Sequence, residues 1–278
     1  MNDKKIFPEN LTDFLYWIKE ATEEYWCNMS PDLPGHNAKW LPLTDQQIDE
    51  LEQKYSVKFG IEHRQFLRVL HTTDKTFEVE KSSDADDDIE EAAEEKAKQR
   101  LNLPNYAPSL FYNWLTEKDW IEYRLSWIRE MFIADIIGES KSWLRSWGPL
   151  PETDDEKISI FNEWYGKAPR LLPITAHTFL MSGDDAGSNP VLSVMGFDTI
   201  IRAWSLRHFL IREFADELGL VETYKDEDHP EGDKDLVKGI PELDALQKIR
   251  LDDTAIPYWK EVLTYYHSHE NSWQSFWE

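Results

Sequence analysis

The sequence predicts an α+β fold, and three observations carry that expectation. Amphipathic helical runs fill the N-terminal part and return at the C-terminal end. Four short β-type segments cluster between residues 171 and 203, separated by tight turns. The elements show no regular strand–helix–strand alternation, which sets a doubly wound parallel sheet aside. The chain has 278 residues, 41% hydrophobic and 13% aromatic, with 13 Trp. That is enough apolar surface for a sizeable core, so disorder does not describe the whole.

Asn10 reads as the N-cap of a first helix over residues 10–26. Its apolar face is Leu11, Phe14, Leu15, Ile18, Thr22 and Tyr25. Cys27, the lone cysteine, follows as a small buried or half-buried side chain. After a Pro- and Gly-containing loop (Ser30 to Gly35), Thr44-x-x-Gln47 forms a capping box. There the Thr oxygen and the Gln side chain can satisfy orphan amides at a helix start. Ile48, Leu51 and Tyr55 give that helix its inner face, and Phe66, Leu67 and Leu70 give the next one, after Phe59-Gly60.

Residues 81–100 then form an acidic excursion with almost no apolar stripe. Acids come first and bases last, which suits a helix dipole, and the segment reads as a solvated stretch or a docking element. Trp120, Tyr123 and Trp127 space a helix over Asp119 to Arg129. The β-branched and aromatic run Phe132 to Ile137 reads as a buried strand, and Trp143-Leu144 as its return past Gly138. A helix around Ile158 to Tyr165 precedes strands at Leu171–Ile174, Thr178–Met181, Val191–Met195 and Thr199–Ala203. Gly183-Asp184-Asp185-Ala186-Gly187 is the turn between the second and third of these. A helix from Leu206 to Leu218, an acidic loop from Glu222 to Asp235, and helices after Pro241 and Pro257 complete the chain.

Charge is the strongest compositional signal: 54 Asp plus Glu against 30 Lys plus Arg, a formal net charge of −24. That sign is wrong for phosphate contacts, so nucleic acid and anionic membranes are not expected partners. It attracts basic proteins and speeds their association. No apolar run reaches the ~18 residues of a membrane helix. One cysteine allows neither an internal disulfide nor a thiolate metal cage. The N-terminus lacks the apolar centre of a signal peptide, so the expected location is the cytoplasm.

Motifs for catalysis are missing. There is no G-x-G-x-x-G, P-loop, G-x-S-x-G or H-E-x-x-H pattern. His267-x-His269 followed by Glu270 is too small a set for a metal, and Asp184-Asp185 serves as turn residues. The Trp residues, at helical and strand spacing, read as core rather than as a carbohydrate platform. The expectation is a non-enzyme with no cofactor, no metal and no catalytic residues. Asp86, Asp87, Asp88, Glu90 and Glu91 are the candidate partner-binding residues.

Two separated stretches resemble the SUKH superfamily, which includes a yeast cell-wall-assembly regulator and many bacterial toxin-immunity proteins. The first runs from Trp40-Leu41-Pro42-Leu43-Thr44 through Ile48-Asp49-Glu50-Leu51-Glu52 to Val57-Lys58-Phe59-Gly60 and Gln65-Phe66-Leu67. Phe59-Gly60 stands where the family usually has Leu-Pro, and His63 where Tyr is common. The second is similar to a longer bacterial branch: Trp143 to Pro149, Pro169-Arg170-Leu171-Leu172-Pro173-Ile174, Asn189 to Val194, Thr199-Ile200-Ile201 and Phe209-Leu210.

The resemblance covers about residues 40–215 and implies one mixed, mainly antiparallel sheet flanked by helices. The whole chain, 1–278, then reads as one SUKH-like domain with an N-terminal helix and a C-terminal helical extension over 236–278. It further implies a protein that binds and neutralises a toxin, such as a nuclease, one to one. The alternative is a regulatory or scaffold protein without a toxin partner.

Overall fold

The computed structural model describes residues 7–75, 109–138, 141–183, 189–224, 233–237, 239–254 and 256–268. Helix α1 (Leu11–Asn28) starts where Asn10 accepts from the amides of Thr12 and Asp13. Its inner face is Phe14, Leu15, Ile18, Thr22 and Trp26. Tyr25 is 42% exposed, and Cys27 is exposed as well, contrary to the expectation for both. The helical register carries Trp26, not its neighbours, inward along the line of Ile18 and Thr22. Thr22 then holds the next element, because the Trp40 indole donates to its hydroxyl at 2.9 Å.

A two-stranded ribbon, β1 (Trp40–Leu41) with β2 (Thr72–Thr73), brackets α2 (Asp45–Tyr55) and α3 (Ile61–Val69). The Thr44–Gln47 capping box is present in full. Arg64 of α3 pairs with Asp49 and Glu52, and Arg68 with Asp45, which ties the two helices together across their outer faces.

Helix α4 (Lys118–Ile137) contains the largest departure from expectation. Phe132 to Ile137 is its last turn and a half, not a strand. The apolar positions continue one helical face: Trp120, Tyr123, Trp127 and Ile128 lead into Phe132 and Ile136. The residues between them, Ile133 and Ala134, lie off that face. The helix ends at Gly138, where a Cβ would sit 2.4 Å from the Ala134 carbonyl oxygen. Trp143-Leu144 is likewise no strand. It leads into a 3-10 turn (Arg145–Trp147), with the Trp143 indole donating to the Gly148 carbonyl at 2.9 Å.

Helix α5 (Asp154–Lys167) precedes the principal sheet: β3 (Leu171–Thr175), β4 (Thr178–Met181), β5 (Val191–Met195) and β6 (Asp198–Ala203). The four strands lie in chain order and every pairing is antiparallel. Only the isolated bridge Leu41–His71 is parallel among the described residues. At the β5–β6 turn Gly196 has φ +67°, and a Cβ there would meet the Asp135 carboxylate at 2.1 Å. That carboxylate accepts from the Phe197 amide at 2.7 Å, joining α4 to the turn.

Helix α6 (Leu206–Glu213) is capped by Ser205 and stops five residues before the expected end at Leu218. The span read as an acidic loop begins and ends in a ribbon, β7 (Val221–Tyr224) with β8 (Asp233–Leu236). Helices α7 (Pro241–Leu246) and α8 (Trp259–Ser268) follow the two prolines as expected.

The class is therefore α+β. Helix α4 packs on β3, β5 and α5; α8 lies against β6; α1 packs on α3 and α6. The buried apolar side chains form one connected cluster that holds Leu51, Phe66, Leu67, Ile136, Leu172, Val191, Val194 and Phe209. Leu67 is fully buried. Leu67→Ala is expected to cost roughly 2–5 kcal/mol in urea unfolding, the transfer and cavity penalty of a buried leucine. A loss under about 1 kcal/mol would mean that the site collapses around the smaller side chain.

Candidate functional site

The carboxylates singled out from the sequence, Asp86, Asp87, Asp88, Glu90 and Glu91, lie outside the described residues, as do Asp184, Asp185, His269 and Glu270. His267 falls within α8. Among the described residues, no group of three or more His, Cys, Asp or Glu side chains could hold a metal ion, and no helix is long and apolar enough to cross a membrane. Acidic surface is plentiful there all the same. Glu152, Asp154, Asp155 and Glu156 are all exposed around the start of α5, where Thr153 caps the helix and negative charge complements its dipole.

Two buried histidines, His63 and His71, are strongly perturbed. His71 donates or accepts at both nitrogens: Nδ1 lies 2.9 Å from the Leu41 carbonyl, and Nε2 accepts from the Trp114 amide at 3.0 Å. These partners select the neutral tautomer with the proton on Nδ1. Burial lowers the His71 pKa to about 4. His63, in a box of Phe59, Phe66 and Trp114 rings, has no hydrogen-bond partner for either nitrogen among the described residues. Burial, with His71 adding to it, lowers its pKa to about 3. Both rings stay neutral at physiological pH and serve as core.

Beside β6 lies an open cavity of about 920 Å³, lined by α6, α7, the 247–251 segment and α8. Ile201, Leu243 and Leu263 supply apolar lining, and Arg202, Arg212, Lys248 and Arg250 supply charge. Arg202 owes its position to a bulge. Ala203 pairs with Val191 and Ile201 with Leu192, which leaves Arg202 as the extra residue on β6.

His208 accepts from the Trp204 amide through Nδ1 at 3.3 Å. Burial, then Arg212, lowers its pKa to about 4. Burial and Arg202 both lower the pKa of Arg212. Glu213 is shifted up by burial, with Arg202 pulling the other way. None of the four cations is in an ion pair among the described residues.

Sequence reasoning missed this site because its cations come from three separate elements and are outnumbered by acids everywhere in the composition. Lys248-Ile249-Arg250, a short basic run free of acids, was the one local trace. Comparison of the chain with protein-family models, with curated proteins and with solved structures finds no match.

Proposed function

We propose that this chain is a non-catalytic binding protein that captures a basic protein partner, and that its role is of the immunity type implied by the SUKH resemblance. The observation that carries the proposal is the net charge of −24. The exposed carboxylates around the start of α5 display part of it. A surface of that sign steers basic domains, such as nuclease clefts, into encounter and can occupy positions that phosphates would take. Neutralisation of a toxin demands tight and fast capture; a Kd of about 1 nM corresponds to about −12 kcal/mol.

Co-expression with the product of the adjacent reading frame, scored by growth, tests the proposal. Rescue of growth and a one-to-one complex are expected. Several weak partners with no toxic one among them would favour the scaffold role instead, and turnover of a metabolite would refute both.

The acidic excursion supplies a finer test. Changing Asp86, Asp87, Asp88, Glu90 and Glu91 to Asn or Gln is expected to slow association with the partner. The melting temperature and the dissociation rate should change little, since exposed charges act mainly through steering. An association rate that ignores both the five changes and added salt would remove this segment from the interface.

A further inference from the structure

We propose that the cavity beside β6 binds a small amphipathic anion, an apolar body carrying one or two negative charges. Its volume, about 920 Å³, falls in the upper part of the range of small-molecule sites, roughly 300–1,000 Å³. Ile201, Leu246 and Ile249 offer apolar surface to the body of such a ligand. Arg202, Arg212, Lys248 and Arg250 offer charge to its head, and guanidinium groups suit carboxylate and phosphate geometry.

The sign of this lining is the central observation. In a chain with 54 acidic residues and 30 basic ones, this lining holds four cations and no carboxylate. Elsewhere Arg64, Arg68 and Lys157 face carboxylates. Helix α6 contains the contrast within itself. Arg207 is held by both oxygens of Glu242 and stacks over the Phe14 ring, whereas Arg212, one and a half turns on, has no acidic partner among the described residues.

Gathering like charges costs free energy: beyond burial, Arg202 also lowers the pKa of Arg212. An anion relieves that cost. Glu242 is already engaged by Arg207. Glu213, the carboxylate that feels Arg202, makes no ion pair with it.

The shape of β6 decides between a small anion and an acidic polypeptide. An outer strand can accept a further strand through its free edge. Here the bulge at Arg202 interrupts the pleat and places a charge at that edge, the arrangement that discourages strand addition. The bulge also re-aims Arg202 relative to its neighbours. A compact ligand uses that arrangement; an extended one is obstructed by it.

The test uses the full chain and 8-anilinonaphthalene-1-sulfonate, an apolar body with one anionic group, with uncharged N-phenyl-1-naphthylamine as its partner probe. Calorimetry and fluorescence are expected to show one sulfonate probe per chain and much weaker binding of the uncharged one. Arg202→Gln with Arg212→Gln, and separately Lys248→Gln with Arg250→Gln, should each weaken sulfonate binding by about tenfold or more. Lys118→Gln with Lys167→Gln, on α4 and α5, should leave it unchanged. A native melting profile for each variant excludes unfolding as the cause, and failure of one pair to fold leaves the other decisive.

Equal affinity for the uncharged probe would overturn the proposal. So would binding untouched by both charge-removing pairs, or tighter capture of an oligo-glutamate peptide than of the sulfonate. None of these outcomes bears on the capture of a basic partner, which depends on the acidic surface.

Discussion

Between pH 7.5 and pH 4.5 the folded protein is expected to lose on the order of 5 kcal/mol through His63 and His71. Each ring has an ordinary value of 6.5, and folding lowers them to about 3 and about 4. The unfolded chain therefore binds protons that the folded chain refuses. Stability from these groups is complete above about pH 6.5 and falls as the pH drops toward the folded values. Two pH units at 1.36 kcal/mol each give roughly 2–3 kcal/mol per ring at pH 4.5.

Protonating His71 also puts a proton on Nε2, which faces the Trp114 amide donor, so the charged ring loses that hydrogen bond as well. His208, lowered to about 4 chiefly by burial, acts in the same sense. Several carboxylates act in the opposite one. Burial raises Asp135, Asp198, Glu213 and Glu217. Their folded forms take up protons more readily, which favours the folded state in acid. Loss of net negative charge also relieves repulsion.

His63→Leu isolates the histidine contribution. Its urea midpoint should fall less between pH 7.5 and pH 4.5 than that of the parent chain. At pH 7.5 the variant should be equal or more stable, since it removes a buried polar ring without hydrogen bonds among the described residues. Identical slopes against pH for parent and variant would show that His63 does not stay neutral in the fold.

Phe132→Ala is expected to cost about 3–5 kcal/mol, the other large effect. The ring is fully buried, 5.7 Å from Phe161, 5.0 Å from Phe197 and 6.0 Å from Trp259 between centroids. It thus joins α4 to α5, to the β5–β6 turn and to α8, and its removal opens a cavity at a junction of four elements. Ile137→Ala, five residues on and 43% exposed, should cost within about 0.5 kcal/mol. A buried strand would make Phe132 and Ile136 costly together with Ala134, whereas in the helix Ala134 is exposed. Equal losses at 132 and 137 would contradict the helical register.

Local signals in the chain were sufficient for much of the fold. Asn10, Thr44 with Gln47, and Ser205 mark helix starts through hydrogen bonds that reach no further than three residues. The strands at 171–174, 178–181 and 191–195 were legible because turn-forming residues separate them and their apolar residues are β-branched or large. The antiparallel pairings joined by Ala176-His177 and Gly196-Phe197 follow from two-residue connections. The core residues were legible for the same reason, since helical and strand periodicity states which face is apolar.

Tertiary structure decided the rest. Phe132 to Ile137 has strand composition, yet it continues a face begun at Trp120, and burial against β3, β5 and α5 outweighs β-propensity. Asp135, unremarkable in the sequence, becomes the acceptor for a turn 62 residues away. Cys27 is exposed because Trp26 claims the inward position. The cationic cavity could not be read from the chain, because composition averages charge over the whole molecule. Only folding brings Arg202, Arg212, Lys248 and Arg250 around one space, at contacts set by the packing of β6, α6, α7 and α8 rather than by any local pattern.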